Sequence, residues 1–191
     1  MIKRINELIK ESIRVKEKLL ETQSFEIYRA AKLIISCLKR GGKVIVFGNG
    51  GSAADSQHIV AELVGRFKKE RRPLPAIALT TNTSILTAIA NDYNYETIFQ
   101  KQIEALGNKK DVAIGISTSG KAKNVINGII TARKMKMKTI SLTGKKGIDF
   151  AKLADISIIV PSEDTARIQE AHITIGHILC ELIEETIFKD K

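Results

Sequence analysis

The sequence predicts an α/β domain built on a parallel sheet, and two observations lead there. Five short runs rich in Val, Ile and Ala recur along the chain, each followed by small polar residues and then a helical stretch. Within the runs the apolar residues are continuous instead of alternating, as strands buried on both faces require. The 191 residues suit one domain with a substantial core. With no internal repeat, linker or low-complexity segment, residues 1–191 read as a single domain: an N-terminal helical part over 1–40, then an α/β core over 43–188.

The elements follow in order. Residues 2–40 place apolar side chains at helical spacing, first Ile2, Ile5, Leu8, Ile9 and Ile13, then Ile27, Ala31, Ile34, Ile35 and Leu38. Two amphipathic helices are expected, ending at the Gly41-Gly42 stop. The strand runs are Lys43–Phe47, Ala76–Thr80, Val112–Ser117, Thr139–Thr143 and Ile156–Val160. The three prolines, Pro73, Pro75 and Pro161, each flank a proposed strand, where a missing N–H does least harm. A last helix from about Asp164 to Phe188 closes the chain before a short Lys/Asp tail.

Composition excludes more than it selects. Hydrophobic residues at 43% and charged residues at 27% are ordinary globular usage, which argues against a disordered, fibrous or disulfide-rich chain. No apolar run approaches the ~20 residues that span a bilayer, and the charged N-terminus lacks a signal-peptide core, so a cytoplasmic location with no membrane contact is expected. Cys37 and Cys180 have no metal-ligand spacing around them and read as buried thiols in helices. The outlier is charge: 31 Lys and Arg against 21 Asp and Glu give +10, which points to an anionic partner. The surplus is spread out, with +4 in Arg66–Arg72 and +6 in Arg133–Lys152, and neither stretch has the aromatic interleaving of a single-strand binder, so nucleic acid is not expected.

Two strand-to-helix turns are unusually small and polar: Gly48-Asn49-Gly50-Gly51-Ser52 and Ser117-Thr118-Ser119-Gly120. In an open α/β sheet such turns sit at the carboxyl ends of strands, beside helix N-termini whose free N–H groups favour anions. The first satisfies the dinucleotide pattern G-x-G-x-x-A, yet the second strand ends Thr80-Thr81-Asn82, without the acidic residue that would hold a ribose. The second matches the Walker A pattern up to its last position, where Ala122 replaces the hydroxyl that binds Mg²⁺. Both nucleotide readings fail. There remains a hydroxyl-rich phosphate cradle, with a Ser/Thr turn capping a helix as the bland alternative.

Candidate acids and bases lie on two helices. His58 and Glu62 are spaced i, i+4 and share a face. Glu62 sits in an apolar stretch of sequence, and a carboxylate enclosed there would hold its proton more tightly, as a general base requires. The alternative is a solvated helix face. On the last helix Gln169 and His177 fall about 80° apart on the wheel and can face one site, whereas His172 lies about 140° from His177 and reads as a core imidazole.

Taken together, Gly48-Asn49-Gly50-Gly51-Ser52, His58-x-x-x-Glu62-Leu63-x-Gly65-Arg66-Phe67, Ala90-Asn91-Asp92, Ser117-Thr118-Ser119-Gly120 and Arg167-Ile168-Gln169-Glu170-x-His172-x-x-x-x-His177 resemble the phosphoheptose isomerases of the sugar isomerase (SIS) domain superfamily. The resemblance runs from about residue 20 to 188. It implies a flavodoxin-like sheet, a homotetramer packed partly through the N-terminal helices, and isomerisation of sedoheptulose 7-phosphate to D-glycero-D-manno-heptose 7-phosphate through an enediol, at the head of ADP- or GDP-heptose synthesis. By position, Glu62 and His177 correspond to the catalytic base and acid, and His58, Glu62, Gln169 and His177 to zinc ligands. Asn49, Gly50, Gly51, Glu62, Asn91, Asp92 and Gln169 correspond to substrate contacts, and Ser117, Thr118 and Ser119 to the phosphate site. One departure is Ala122, near where the family often carries a further serine. The alternative implied by the same resemblance is a non-enzymatic SIS-domain protein that binds the replication initiator and lacks the equivalents of Glu62 and His177. A sugar-phosphate-sensing regulator would need an appended DNA-binding domain.

Overall fold

A computed structural model describes residues 1–189; Asp190 and Lys191, in the expected tail, lie outside it. The five strands are β1 (Val44–Gly48), β2 (Ala76–Ala78), β3 (Val112–Ser117), β4 (Lys138–Gly144) and β5 (Ile156–Val160), all parallel, in the order β2-β1-β3-β4-β5. All five expected runs are strands, with ends shifted by at most two residues. The helices are α1 (Ile2–Lys39), α2 (Gly51–Val64), α3 (Thr83–Asp92), α4 (Ile98–Leu106), α5 (Lys123–Lys134), α6 (Ile148–Ala151) and α7 (Thr165–Ile187).

Continuous apolar strands are explained by two cores. Along β1, Val44 and Val46 point into a layer with α1, α2 and α7, while Ile45 and Phe47 point into the opposite layer with α4, α5 and α6. Every residue of β1 and β3 is buried. Both thiols are buried in helices as expected; burial pushes Cys37 up to about 11 and Cys180 up to about 12, so both are inert apolar groups at neutral pH.

The expected N-terminal helical pair is instead one continuous helix of 38 residues. The stretch between the two apolar stripes contains no Gly or Pro. Its poorer helix formers are accommodated: the hydroxyls of Thr22 and Ser24 donate to the carbonyls of Lys18 and Leu20, one turn back. Gln23, on the same face as buried Leu19 and Ile27, accepts the main-chain N–H of Ile159 at 3.0 Å and so anchors the helix to edge strand β5. The second stripe is buried, whereas Ile2, Ile5, Leu8, Ile9 and Ile13 are exposed.

The face that matters for chemistry is the contact of α2 with α7. It is close because Gly176 has no side chain: a Cβ there would lie 2.8 Å from Cγ1 of Ile59. Ile59 and Gly176 are the immediate neighbours of His58 and His177, so this crossing carries the two imidazoles to one another. Gly176→Ala must push the helices apart, and we expect a loss of about 1–3 kcal/mol of stability by chemical denaturation, together with a fall in any activity that needs both histidines.

Candidate functional site

The strand order reverses direction of growth at β1, which lies between β2 and β3. In this topology ligands bind outside the carboxyl ends of the strands at the β1/β3 switch point. Both polar turns open there, one following β1 and the other following β3.

The β1 turn bends at Gly50, the N-cap of α2, at φ +56°, a left-handed conformation that glycine adopts without penalty. No side chain caps α2. Asn49 is held from two sides: it exchanges hydrogen bonds with Asn124 (2.8 and 2.9 Å) and accepts one from the Tyr95 hydroxyl at 3.1 Å. Asn124 is buried at the start of α5, so the carboxamide pair bridges the two turns. The carboxamide of Gln169 lies directly over Gly51, where any Cβ would collide with it.

The β3 turn is stitched to the neighbouring strand. Thr143 Oγ1 donates to the Ser117 carbonyl at 2.7 Å, and the Gly144 N–H donates to the Thr118 carbonyl at 3.0 Å. Ser119 Oγ accepts the Lys121 N–H. The N-cap of α5 is Ala122, with no side-chain cap, so the hydroxyls of this turn are not consumed in capping the helix. Thr118 and Ser119 line a cavity of about 200 Å³ together with Lys146, Glu163, Thr165 and Ile168.

Further along α2 and α7 three ligand-type side chains converge. His58 Nε2 lies 3.1 Å from Glu62 Oε1, and His177 Nε2 lies 3.3 Å from His58 Nε2. One ligand atom from each of the three falls within 4.8 Å of the others. Two imidazole nitrogens and a carboxylate oxygen so placed fit a divalent ion of the zinc type, whose preferred donors they are. The expected enclosure of Glu62 is not found in the single chain: its side chain is 23% exposed and His58 is 47% exposed. The i, i+4 pair points outward from the gap between α2 and α7, which leaves the cluster open on one side.

Asn91 and Asp92 stand apart from this cluster. They end α3, exposed, with their side chains hydrogen-bonded to one another at 2.9 Å. They precede Tyr95 by a few residues, and Tyr95 provides the contact to Asn49. The sequence reading missed three participants. Asn124 and Tyr95 fix Asn49, and Asp55, one turn before His58, is pushed up to about 6 by burial, against a smaller opposing pull from His58, with Oδ2 unpartnered among the described residues. The i, i+3 spacing of Asp55 and His58 was the available signal for the last.

His172 is the core imidazole the wheel predicts. It is fully buried, and neither ring nitrogen has a hydrogen-bond partner among the described residues.

The matches to known proteins agree with this geometry. A family model described as the SIS domain matches residues 7–144, which places the chain in that class of α/β domains. A phosphoheptose isomerase of Aquifex aeolicus is 56% identical over 187 residues, covering 98% of each chain, and one of Geotalea daltonii is 52% identical over 191 residues, covering all of both. The solved phosphoheptose isomerase of Neisseria gonorrhoeae superposes with a TM-score of 0.90 at 43% identity, over 96% of this chain and 98% of that one. The chain belongs to the phosphoheptose isomerase family.

Burial pushes His172 down to about 4 from an ordinary 6.5. Between those values the unfolded chain binds a proton that the folded chain refuses, so the stability owed to this group falls as pH drops through that window, at up to about 1.4 kcal/mol per unit. Asp55, raised in the fold, acts with the opposite sign and is common to both proteins compared. His172→Leu should therefore gain stability relative to the parent from pH 6.5 down to 4, and the difference should level off below; urea titrations at stepped pH measure it.

Proposed function

We propose that the chain interconverts sedoheptulose 7-phosphate and D-glycero-D-manno-heptose 7-phosphate by proton transfer through an enediol. The observation that carries this reading is the convergence of Glu62, His58 and His177 from α2 and α7, the same two helices that bring Gln169 over Gly51 at the β1 turn. The interaction-protein alternative is not favoured: Glu62 and His177 are both present, and the relatives matched over the whole chain are isomerases.

In this reading the Glu62 carboxylate takes the proton from C1 of the open-chain ketose. The electron pair forms the C1–C2 double bond as the carbonyl oxygen gains a proton from His177. Return of the proton from Glu62 to C2, with passage of the C1 hydroxyl proton to His177, gives the aldose and restores both groups. One oxygen of Glu62 faces His58, which leaves the other for proton transfer. His58, Glu62, Gln169 and His177 would hold a zinc ion, which would polarise the carbonyl and make the neighbouring C–H more acidic. Ser117, Thr118 and Ser119 hold the phosphate; Ala122 adds no hydroxyl to it. Asn49, Gly50, Gly51, Asn91, Asp92 and Gln169 contact the sugar, and the positive surface draws in the dianion.

We further propose a homotetramer. The exposed apolar stripe Ile2, Ile5, Leu8, Ile9 and Ile13 of α1 supports it, as does α3, which has no fully buried residue in the single chain. Among the described residues no helix is long and apolar enough to cross a membrane.

Incubation with sedoheptulose 7-phosphate in deuterated water should place deuterium on carbon in the product. Glu62→Gln keeps the shape and removes the base, and should slow turnover by at least about 10²-fold. Absence of exchange in the parent, or equal rates for the two proteins, would overturn the reading.

A further inference from the structure

Outside the residues discussed so far, Arg71 and Glu184 form an ion pair of 2.9 Å with side chains only 2% and 3% exposed. Glu184 lies on α7, two turns beyond His177. Its carboxylate accepts the main-chain N–H groups of Phe67 (3.2 Å), Lys68 (2.7 Å) and Lys69 (2.9 Å) as well as Arg71 Nε. Burial would raise this carboxyl, but those N–H groups and the guanidinium outweigh it and hold it below the ordinary range.

Apart from one bond to the Arg72 carbonyl at 3.2 Å, the rest of the Arg71 fork is spent on the end of α2. Nη2 donates to the Glu62 carbonyl at 2.7 Å, and Nη1 to the carbonyls of Leu63 and Gly65, each at 2.9 Å. These belong to the last turn of α2 and the residue that follows it, where helix carbonyls lack intrahelical partners. A planar five-donor group can serve three carbonyls and a carboxylate together; an ammonium cannot. The segment so pinned also carries Phe67, whose ring lies 5.6 Å from that of His177. Thus Glu184 and Arg71 tie together the main chain of Glu62, the loop beneath His177 and α7 itself. A buried pair gains little stability over an apolar substitute, because desolvation offsets the Coulomb attraction. What it fixes is geometry.

We propose that the Arg71–Glu184 pair is a positioning device for the reaction: it holds the end of α2 that carries Glu62 in register with α7, and so sets the spacing between Glu62 and His177. This rests on the reading that those two residues carry the proton transfers.

The test compares Glu184→Gln and Arg71→Lys with a matched control in the full chain. Asp111 is also a buried carboxylate; it accepts the N–H groups of Lys43 and Asn108 and pairs with Lys43, but it lies at the amino-terminal edge of the sheet, away from the site. Each protein is assayed below its own melting transition. We expect kcat to fall by about tenfold or more in Glu184→Gln and Arg71→Lys, with KM for the sugar phosphate within about twofold, and Asp111→Asn to keep kcat within about twofold. Because the chain has three histidines, their imidazole NMR signals give a second readout that needs no turnover. Those of His58 and His177 should shift in the two clamp variants, and neither should shift in Asp111→Asn. Retention of kcat in both clamp variants, an equal loss in Asp111→Asn, or unmoved His58 and His177 signals overturns the proposal. If Glu184→Gln does not fold, Arg71→Lys, which keeps the charge, decides. An inactive parent would instead overturn the isomerase reading, and the imidazole signals would still judge the clamp.

Discussion

The contact between α2 and α7 is the constraint on which the candidate site depends. A parallel sheet buried on both faces offers polar chemistry little room within its layers, and here α2 and α7 bring two imidazoles and a carboxylate together on their outer side. Their separation is set by a missing side chain at Gly176 against Ile59. From that approach follow the 3.3 Å distance between the two histidines and the place of Glu62 one turn further along. The main-chain bonds of Arg71 and Glu184 secure the same approach from its other end. Packing and chemistry are therefore one problem in this region, solved by a glycine and a buried pair instead of by catalytic groups.

The rest of the molecule separates two tasks. The β1 and β3 turns present main-chain N–H groups and hydroxyls at the switch point, and their own hydrogen bonds run sideways, to Asn124 and to β4. The helix-borne cluster lies further along α2 and α7, partly open to solvent in the single chain. An exposed apolar stripe on α1 and an unburied α3 leave further surface of the same chain available for covering.

Much of this was legible in the sequence, for identifiable reasons. Strands buried on both faces write themselves as unbroken Val and Ile, and all five were found. The i, i+4 spacing put His58 with Glu62, and the wheel separated His177 from His172, because a straight helix obeys its geometry. The errors lie where one residue's partner is remote in sequence. The gap in the apolar pattern of α1 reads as a break only until Gln23 is seen bonding Ile159, 136 positions away. The apolar neighbours of Glu62 suggested enclosure, but only Ile59 and Leu63 are buried, while Val64 and Glu62 lie on the open side of the helix. Asn124 and Glu184 carry no motif, since their work is done on main-chain atoms and amides that sequence does not display.

The stitching of the β3 turn has a thermodynamic consequence. Thr143 and Gly144 fix the main chain of Ser117 and Thr118, and Asn124 locks Asn49 across the gap. Ordering a loop residue costs on the order of 1–2 kcal/mol, and for these residues that cost is met when the chain folds, before any ligand arrives. An anion entering between the two turns therefore meets a rigid receptor, and little of its binding energy is diverted into arranging the protein.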